Sequence, residues 1–374
     1  TLFRSDVVDE ARSYYWERQE YRFHRAFCNE LIEYGKFELI SQDRVHELSL
    51  EIGLSYEKEA DYQQGRQNRN LIVKACFLED AMKHYKDIGE TEKVGEMKVR
   101  IKETYENWEK SDEIISEFSK IEILKDTTKK YVDSFLDVNI QNTMDTISYR
   151  DIFPKVDDIK SEVENRKQKF LLQQVFPKSI ISDGKKVAHS LSDEDSQRME
   201  FTRTYLLYLK GFVCGLLKPL FEKIMSDCGL NTEIIMNKLD RWGLFDSRNR
   251  SIIEVGVRRF FAEDYVSSIH ILIPQFESTL RRMFEKTGYP TTSIKNQTGQ
   301  YEETLNSFLE RQDVKNTLGE DVHSLIQIVM VEQSGMNLRN VVAHGLARVE
   351  DFTKERNVLV IYLFLILTRY ELKE

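Results

Sequence analysis

Proline, glycine and cysteine are scarce in this chain, which has 5 prolines, 16 glycines and 4 cysteines among its 374 residues. So few helix breakers exclude a collagen-like or proline-rich low-complexity protein, and the composition is typical of a helical one. The cysteines are widely separated, and none lies in a Cys-x-x-Cys pair or in a Cys/His cluster with metal-ligand spacing. They are Cys28, Cys76, Cys214 and Cys228. We therefore expect reduced thiols in a cytoplasmic protein, and we predict no metal site and no cofactor.

Long apolar runs and excess positive charge are also missing. The strongest apolar run, residues 358–367, is far shorter than the roughly 20 residues needed to span a bilayer, so it predicts a buried helix and no membrane partner. The formal net charge of -9 argues against nucleic-acid binding by the whole surface. Residues 257–374 have 14 Lys and Arg against 16 Asp and Glu, whereas the remaining residues have 40 against 47. Any RNA contact is therefore expected to be local, and the more acidic part is expected to bind a protein partner or a trigger.

Residues 1–150 have a helical pattern almost throughout. Within residues 71–108, apolar residues recur with a 3.6-residue period on both sides of Gly89, which predicts an antiparallel helical hairpin. The hairpin resembles one tetratricopeptide-like unit, but three units of a fixed period are not found. A solenoid-like helical region and an irregular helical domain without a binding groove both fit. No signal peptide is visible and the first residue is Thr1, so we expect the natural N-terminus to be missing.

Residues 151–250 are interpreted as a connector followed by a middle helical region. Asp183-Gly184 lies between short apolar stretches, for which a β-hairpin and an ordered connector both fit. A phosphate-binding loop is disfavoured here because the further glycines, the Ser or Thr and the following helix are absent. Helices are predicted over about 199–220 and 230–245, with a loop at 246–250.

Residues 251–374 predict a bundle of four helices. The first is a long helix that is interrupted or kinked at Pro274. A polar loop and two further helices follow it, up to the helix-ending pair Ser334-Gly335. A last helix is expected to begin at Asp351 as its N-cap. The predicted helices cover about 260–286, 301–316, 320–333 and 351–372, and the polar loop covers 289–300.

The segment Asn337-Leu338-Arg339-Asn340-Val341-Val342-Ala343-His344-Gly345 places a permanent cation, a carboxamide and a titratable imidazole within six residues. Arginine holds anionic phosphate through several donors, and histidine gives and takes protons near neutral pH. On an ideal helix the two side chains are rotated by about 140°, so they converge only if a short helix ends between them. Gly345 permits that ending.

The order Arg339-Asn340-x-x-x-His344, followed by a small residue and flanked by apolar helices, resembles the signature of the HEPN superfamily, whose members are mostly ribonucleases. The resemblance covers residues 257–374, and the chain is similar to a bacterial subfamily in which a helical N-terminal region precedes a HEPN domain. It implies an all-α fold with a C-terminal four-helix bundle. It further implies a homodimer through this domain that brings two motifs, and hence two imidazoles, to one cleft.

Together, the residues and the resemblance predict a metal-independent endoribonuclease that acts as a toxin or an anti-phage defence effector on RNA. The ribose 2′-hydroxyl is the nucleophile, so the enzyme supplies an acid/base group and positive charge. His344 is the predicted acid/base, Arg339 the phosphate ligand, and Asn340 the residue that orients the imidazole or the phosphate. Glu277 and Arg281 are weaker predictions. Glu277 could position Arg339, although a plain ion pair between Glu277 and Arg281 fits as well.

The remaining histidines are assigned no catalytic role. His270 and His323 lie in apolar stretches, where a packing role is expected, and the others form no recognisable constellation. Those others are His24, His46, His84 and His189. In some relatives a Tyr two residues after the motif histidine accepts nucleotidylation by an antitoxin; here that residue is Leu346, so this regulation is not expected.

The alternative from another class is a non-catalytic helical interaction or dimerisation protein with a HEPN-like ligand-binding domain. The net acidity and the lack of an obvious basic, aromatic RNA groove favour this alternative. The presence of Arg339, Asn340 and His344 together favours the enzyme.

Overall fold

The computed structural model describes residues 2–37, 39–65, 70–110, 125–169, 179–182, 185–189, 192–295 and 299–371. These residues form an all-α architecture, as predicted, to which two small two-stranded β-hairpins are added. The chain divides into two compact units. The first contains Thr1–Ser119 and Ser179–Val187, and the second contains Lys120–Lys178 and Ala188–Glu374.

The described residues of the first unit form five helices, and each packs on the next one along the chain. They are α1 (Leu2–Glu17), α2 (Tyr21–Gly35), α3 (Gln42–Gly65), α4 (Leu71–Asp87) and α5 (Thr91–Glu109). The predicted hairpin over 71–108 is therefore confirmed as α4 and α5. Gly89 makes its turn with a φ of 84°, a backbone conformation that glycine adopts without penalty. Sequential packing of this kind is the arrangement expected of a solenoid-like region.

The β-hairpin that fitted the connector is present. Strands β1 (Ser179–Ser182) and β2 (Lys185–His189) pair in a two-stranded sheet. Its predicted turn, Asp183-Gly184, lies outside the described residues.

The helices of the second unit run from residue 125 to residue 367. They are α6 (Lys125–Asp133), α7 (Ile140–Tyr149), α8 (Val156–Lys169), α9 (Asp193–Phe212), α10 (Lys218–Asp227), α11 (Thr232–Asp240), α12 (Arg250–Phe261), α13 (Tyr265–Lys286), α14 (Leu305–Glu310), α15 (Gln312–Leu318), α16 (Glu320–Met330), α17 (Leu338–Ala343) and α18 (Lys354–Leu367). One cluster of buried apolar residues extends from Val132 to Leu367. The predicted boundaries at 150/151 and 250/251 thus both lie inside a unit with a shared core.

The helix predicted over 199–220 is longer than expected. A π-helical segment, Val213–Leu217, joins α9 directly to α10, and Pro219 lies in the first turn of α10, where its missing N–H is tolerated. Among the described residues, Glu194–Asp227 is the one helical run long and apolar enough to cross a membrane by length and composition. Of its 18-residue apolar window, 44% is buried inside the protein, and core helices of water-soluble proteins give the same pattern.

The single helix predicted over 260–286 is in fact two helices. Glu263 adopts a φ of 58°, and the Asp264 carboxylate accepts the Ser267 N–H at 3.1 Å, so a new helix starts there. Pro274 lies inside α13 without ending it.

The polar loop predicted over 289–300 is also corrected. It contains strand β3 (Thr292–Lys295), which pairs antiparallel with β4 (Gly299–Glu302) in a register that places Thr292 opposite Glu302. Beyond β4 the expected helix over 301–316 is split into α14 and α15. Arg311 between them has an extended backbone with a ψ of 137°, which a continuous helix excludes.

The last helix begins later than predicted. Asp351 belongs to a short 3-10 turn, Val349–Asp351, and its carboxylate accepts the Arg348 N–H at 2.9 Å. Thr353 is the N-cap instead, because its hydroxyl accepts the Arg356 N–H at 3.3 Å.

The final helix α18 forms the centre of the second unit. Every residue from Asn357 to Leu367 is at most 2% exposed within one chain. Helices α7, α10, α11, α12 and α13 and the π-helical segment surround it. The chain itself therefore covers every face of this helix, which confirms the predicted buried helix and leaves α18 no apolar face for a homodimer interface.

Candidate functional site

The Arg/Asn/His segment forms the short helix α17, which follows a tight turn after α16. Glu332 begins that turn and is buried, with the guanidinium of Arg198 donating to its carboxylate at 3.1 Å and the Ser334 hydroxyl at 2.8 Å. Burial favours the protonated carboxyl, but these donors outweigh it and hold the pKa of Glu332 below its ordinary value. The turn that presents the motif is thus anchored by a charged group.

Gly335 is required in this turn by close backbone approach. A Cβ atom at this position would lie 2.4 Å from the Ile328 carbonyl oxygen, which is the acceptor of the Met336 N–H at 2.9 Å. Asn337 follows with a φ of 50°, a left-handed conformation that asparagine tolerates better than most residues. The helix-ending pair Ser334-Gly335 therefore lies in a turn that reverses the backbone and sets the start of α17.

Arg339 is held from two sides. Its Nε donates to Glu277 Oε2 at 3.0 Å, and one terminal nitrogen donates to Asn340 Oδ1 at 3.1 Å. Asn340 in turn donates through Nδ2 to Asn337 Oδ1 at 2.7 Å. The Arg339 side chain is 32% exposed, so its guanidinium is oriented but still reaches solvent. The predicted neighbours Glu277, Arg339 and Asn340 are thus in direct contact.

Glu277 lies between two guanidinium groups. It contacts Arg339, as the first prediction for this residue required, and it also forms the ion pair with Arg281 that was the alternative. Its Oε1 accepts from Arg281 at 2.8 Å, while its Oε2 binds Arg339. Arg281 is only 9% exposed, donates to the Glu303 carbonyl at 2.6 Å and lies 5.3 Å from the Phe308 ring centroid. Arg281 is therefore packed behind Glu277, where it orients the carboxylate and is withdrawn from solvent.

His344 lies at the C-terminal end of α17. The Gly345 N–H donates to the Val342 carbonyl at 3.2 Å and the Leu346 N–H donates to the Val341 carbonyl at 2.8 Å, with Gly345 at a φ of 63°. This is a Schellman ending with glycine in the left-handed position, as the sequence indicated. The imidazole is exposed and has no hydrogen bond, ion pair or ring contact within the part of the chain that the structure describes.

The backbone of α17 directs Arg339 and His344 to different sides of this helix. Although α17 ends at Ala343, the His344 N–H still donates to the Asn340 carbonyl at 3.0 Å, so His344 follows the helical path. Residues five apart on that path point about 140° away from each other. The helix ending alone therefore does not bring the guanidinium and the imidazole to one phosphate.

His323 and His270, in the same unit, have different environments. His323 is buried, and its Nε2 donates to the Leu309 carbonyl at 2.6 Å, which confirms its packing role. Burial lowers the pKa of the His323 imidazole. His270 is exposed, and its Nδ1 donates to the Val266 carbonyl at 2.8 Å. Its ring stacks on the Phe352 ring, with 5.0 Å between the two centroids, so His270 packs on one face only.

Two cations that follow the motif along the chain are paired with carboxylates. Arg356 pairs with Asp351 at 2.7 Å, and Lys354 pairs with Glu222 at 2.9 Å.

A cavity of about 410 Å³ lies elsewhere in the second unit, at Lys238 and Tyr149. Lys238 is paired with Asp145 at 2.7 Å, and no motif residue lines this cavity.

The sequence interpretation missed one cluster of potential ligands, in the first unit. His24, assigned to no constellation, lies beside Cys28 on α2, and Glu51 of α3 completes the group. The four-residue spacing of His24 and Cys28 was the available signal, since it places both on one helix face.

Comparison of the chain with protein-family models, with curated proteins and with solved structures finds no match.

Proposed function

We propose that the chain is a metal-independent endoribonuclease of the HEPN type, which acts in the cytoplasm as a toxin or an anti-phage defence effector. One observation carries the proposal. A guanidinium held by Glu277 and Asn340 and an exposed imidazole, which has no partner among the described residues, lie at the two ends of the same short helix. These are the positive charge and the proton-transfer group that RNA cleavage by 2′-hydroxyl attack requires.

Each side chain has a distinct role in this mechanism. Arg339 directs the donors that Glu277 and Asn340 leave unused to the phosphate, and stabilises the charge that grows on it in the transition state. His344 takes the proton of the 2′-hydroxyl or gives one to the leaving oxygen, because histidine is the side chain most often used for general acid–base transfer. Asn340 holds the guanidinium through its side-chain carbonyl, so it acts on orientation.

The divergence of Arg339 and His344 supports a composite site made by two copies of the chain. Since the two side chains leave α17 about 140° apart, an imidazole from a second copy is the simpler source of a group facing Arg339. The surface that follows the motif exposes two large apolar side chains beside its charged ones, Leu346 at 51% and Val349 at 79% exposure. In the proposal this surface, named the post-motif surface, packs against its counterpart in the partner.

A second candidate is a non-catalytic dimerisation or ligand-binding protein. The observation in its favour is that the Arg339 guanidinium already has a carboxylate and an amide as partners. A guanidinium engaged in this way has fewer donors left for a substrate.

The test is incubation of purified full-length protein with total RNA in EDTA. The enzyme proposal expects cleavage, its loss in His344→Ala, and unchanged cleavage in His46→Ala, which removes an exposed histidine outside the motif. Arg339→Lys is expected to be severely impaired, because a point charge does not reproduce bidentate phosphate recognition. Wild-type protein that is folded and dimeric but leaves RNA intact would favour the second candidate, and full cleavage by His344→Ala would remove this residue from the mechanism.

A further inference from the structure

Three side chains with metal-ligating atoms meet between α2 and α3 in the first unit. His24 Nε2 lies 3.3 Å from Cys28 Sγ and 3.6 Å from Glu51 Oε2, and all three ligand atoms lie within 4.8 Å of one another. His24 and Cys28 are fully buried, whereas the Glu51 side chain is 29% exposed. The cluster thus has a fixed, dry side and one adjustable ligand at the surface.

These separations are close to those of a tetrahedral zinc site. With Zn–S near 2.3 Å and Zn–N and Zn–O near 2.0–2.2 Å, neighbouring ligand atoms of a tetrahedral site lie about 3.3 to 3.6 Å apart. The His24 distances to Cys28 and Glu51 already match this range. Only the Glu51 carboxylate has to rotate for the three atoms to enclose one ion, and its partial exposure allows that rotation.

The outer contacts of His24 also suit a ligand. Its Nδ1 donates to the Arg12 backbone carbonyl at 3.0 Å, which leaves the lone pair of Nε2 directed at Cys28 and Glu51. A backbone carbonyl on the other ring nitrogen is the usual outer partner of a metal-binding histidine. The Trp16 ring, 4.8 Å from the His24 ring centroid, restricts the imidazole further.

The arginine side chains beside the cluster have a carboxylate counter-ion other than Glu51. Arg12 contacts Glu51, but its Nε also donates to Asp9 at 2.8 Å. Asp9 additionally binds Arg44 at 3.0 Å. If Glu51 turns to an ion, Arg12 keeps Asp9 as its counter-ion, and a thiolate and a carboxylate neutralise the two charges of the ion.

We propose that His24, Cys28 and Glu51 form a zinc site that links α2 to α3, with the solvent-facing fourth position taken by water. A thiolate and an imidazole select a thiophilic cation such as Zn²⁺ over Mg²⁺ or Ca²⁺. Because the ligands come from two helices, binding adds directly to the stability of this unit. The site is independent of the proposed ribonuclease chemistry.

The test uses full-length protein stripped with EDTA, desalted and titrated with Co²⁺, followed by Zn²⁺ in competition with a chromophoric chelator. The expected result is one ion per chain, a thiolate-to-cobalt charge-transfer band and a higher melting temperature with Zn²⁺. Cys28→Ser should abolish the band. His24→Gln and Glu51→Gln each remove a direct ligand, so each should weaken binding by at least the roughly 10- to 100-fold that loss of an outer partner of a ligand costs. Cys214→Ser, at an exposed cysteine of the second unit, is the matched control and should behave as wild type.

Two results would overturn the proposal. One is the absence of stoichiometric Co²⁺ binding by folded wild-type protein, which would leave the cluster as a hydrogen-bonded network in which the Cys28 thiol donates to His24. The other is a cobalt spectrum without the charge-transfer band or unchanged in Cys28→Ser, which would mean adventitious binding elsewhere. Glu51→Gln guards against loss of fold as an explanation, because this side chain is partly exposed and its circular dichroism should match wild type.

Discussion

Glu277 and Arg339, 62 residues apart in the chain, are joined by a 3.0 Å ion pair that ties α13 to α17. The carboxylate is oriented from behind by the buried Arg281, so the guanidinium of the motif is set by a long helix of the core. A short helix of six residues has little stability of its own, because nucleation is costly and few hydrogen bonds repay it. The position of Arg339 therefore depends on this contact.

Glu277→Gln tests that dependence. Replacing the carboxylate by an amide keeps the shape but removes the charge that orients Arg339, so we expect RNA cleavage to fall by about 10²-fold, a loss typical of a misplaced catalytic group. The loss should appear in kcat more than in KM, because the guanidinium is still present but poorly directed. Single-turnover cleavage with saturating RNA measures it.

Glu310→Gln is the matched control for that prediction, since Glu310 is an exposed carboxylate of the same unit. It should leave cleavage unchanged. Equal activity of Glu277→Gln and wild type would show that Arg339 acts without this support.

Gly335→Ala should destabilise the second unit. The added Cβ would approach the Ile328 carbonyl oxygen to 2.4 Å and displace the turn before α17, at an expected cost of about 1–3 kcal/mol in the free energy of unfolding. Gly243→Ala is the control, because a Cβ at Gly243 meets no atom within 4 Å. Urea unfolding followed by circular dichroism compares the two variants. A Gly335→Ala protein as stable as the Gly243→Ala protein would contradict this account of the turn.

Local patterns predicted the elements whose cause is local. The periodicity around Gly89 gave the α4–α5 hairpin, and the apolar run 358–367 gave a buried helix. The Schellman ending of α17 was likewise implied by Gly345. In each case the residues that determine the structure are neighbours in the sequence.

The features that were missed depend on distant residues or on competing local bonds. The β3–β4 hairpin has few apolar residues to reveal a period of two. Asp351 is a residue type that caps helices, but its carboxylate accepts the Arg348 N–H instead. The N-cap of α18 is therefore Thr353, whose hydroxyl accepts the Arg356 N–H. The approach of Glu51 to His24 needs the pairing of α2 with α3, which no single segment encodes.

Val349→Asp should weaken dimers if the post-motif surface packs against a second copy. Val349 is 79% exposed, so the substitution should leave the stability of the monomer unchanged. At the dimer interface the new carboxylate would be buried without a partner. The dimer Kd should therefore rise at least tenfold, which corresponds to about 1.4 kcal/mol. Val138→Asp, at a fully exposed valine of the second unit, is the control. Sedimentation velocity and RNA cleavage are measured on the same samples. A wild-type protein that cleaves RNA as a monomer at micromolar concentration would defeat the composite site.

The buried His323 predicts a loss of stability in mild acid. Burial holds the pKa of its imidazole below the ordinary value of about 6.5, and the neutral ring donates from Nε2 to the Leu309 carbonyl at 2.6 Å. Above that ordinary value both the folded and the unfolded chain hold the ring neutral, so the contribution is constant. As the pH falls below it, the unfolded chain binds a proton that the folded chain does not, and the free energy of unfolding decreases by at most about 1.4 kcal/mol per pH unit until the folded-state pKa is reached.

His323→Gln should flatten this dependence, because glutamine keeps an N–H donor for Leu309 and does not titrate. Melting temperatures between pH 7 and pH 5 should therefore fall less in His323→Gln than in wild type, even if the variant is less stable at pH 7. His46→Gln, at an exposed imidazole, should follow the wild-type curve. Parallel curves for wild type and His323→Gln would contradict this prediction. They would mean that the buried ring binds its proton as readily in the folded chain as in the unfolded one. The 5% exposure of His323 and its single backbone acceptor argue against that outcome.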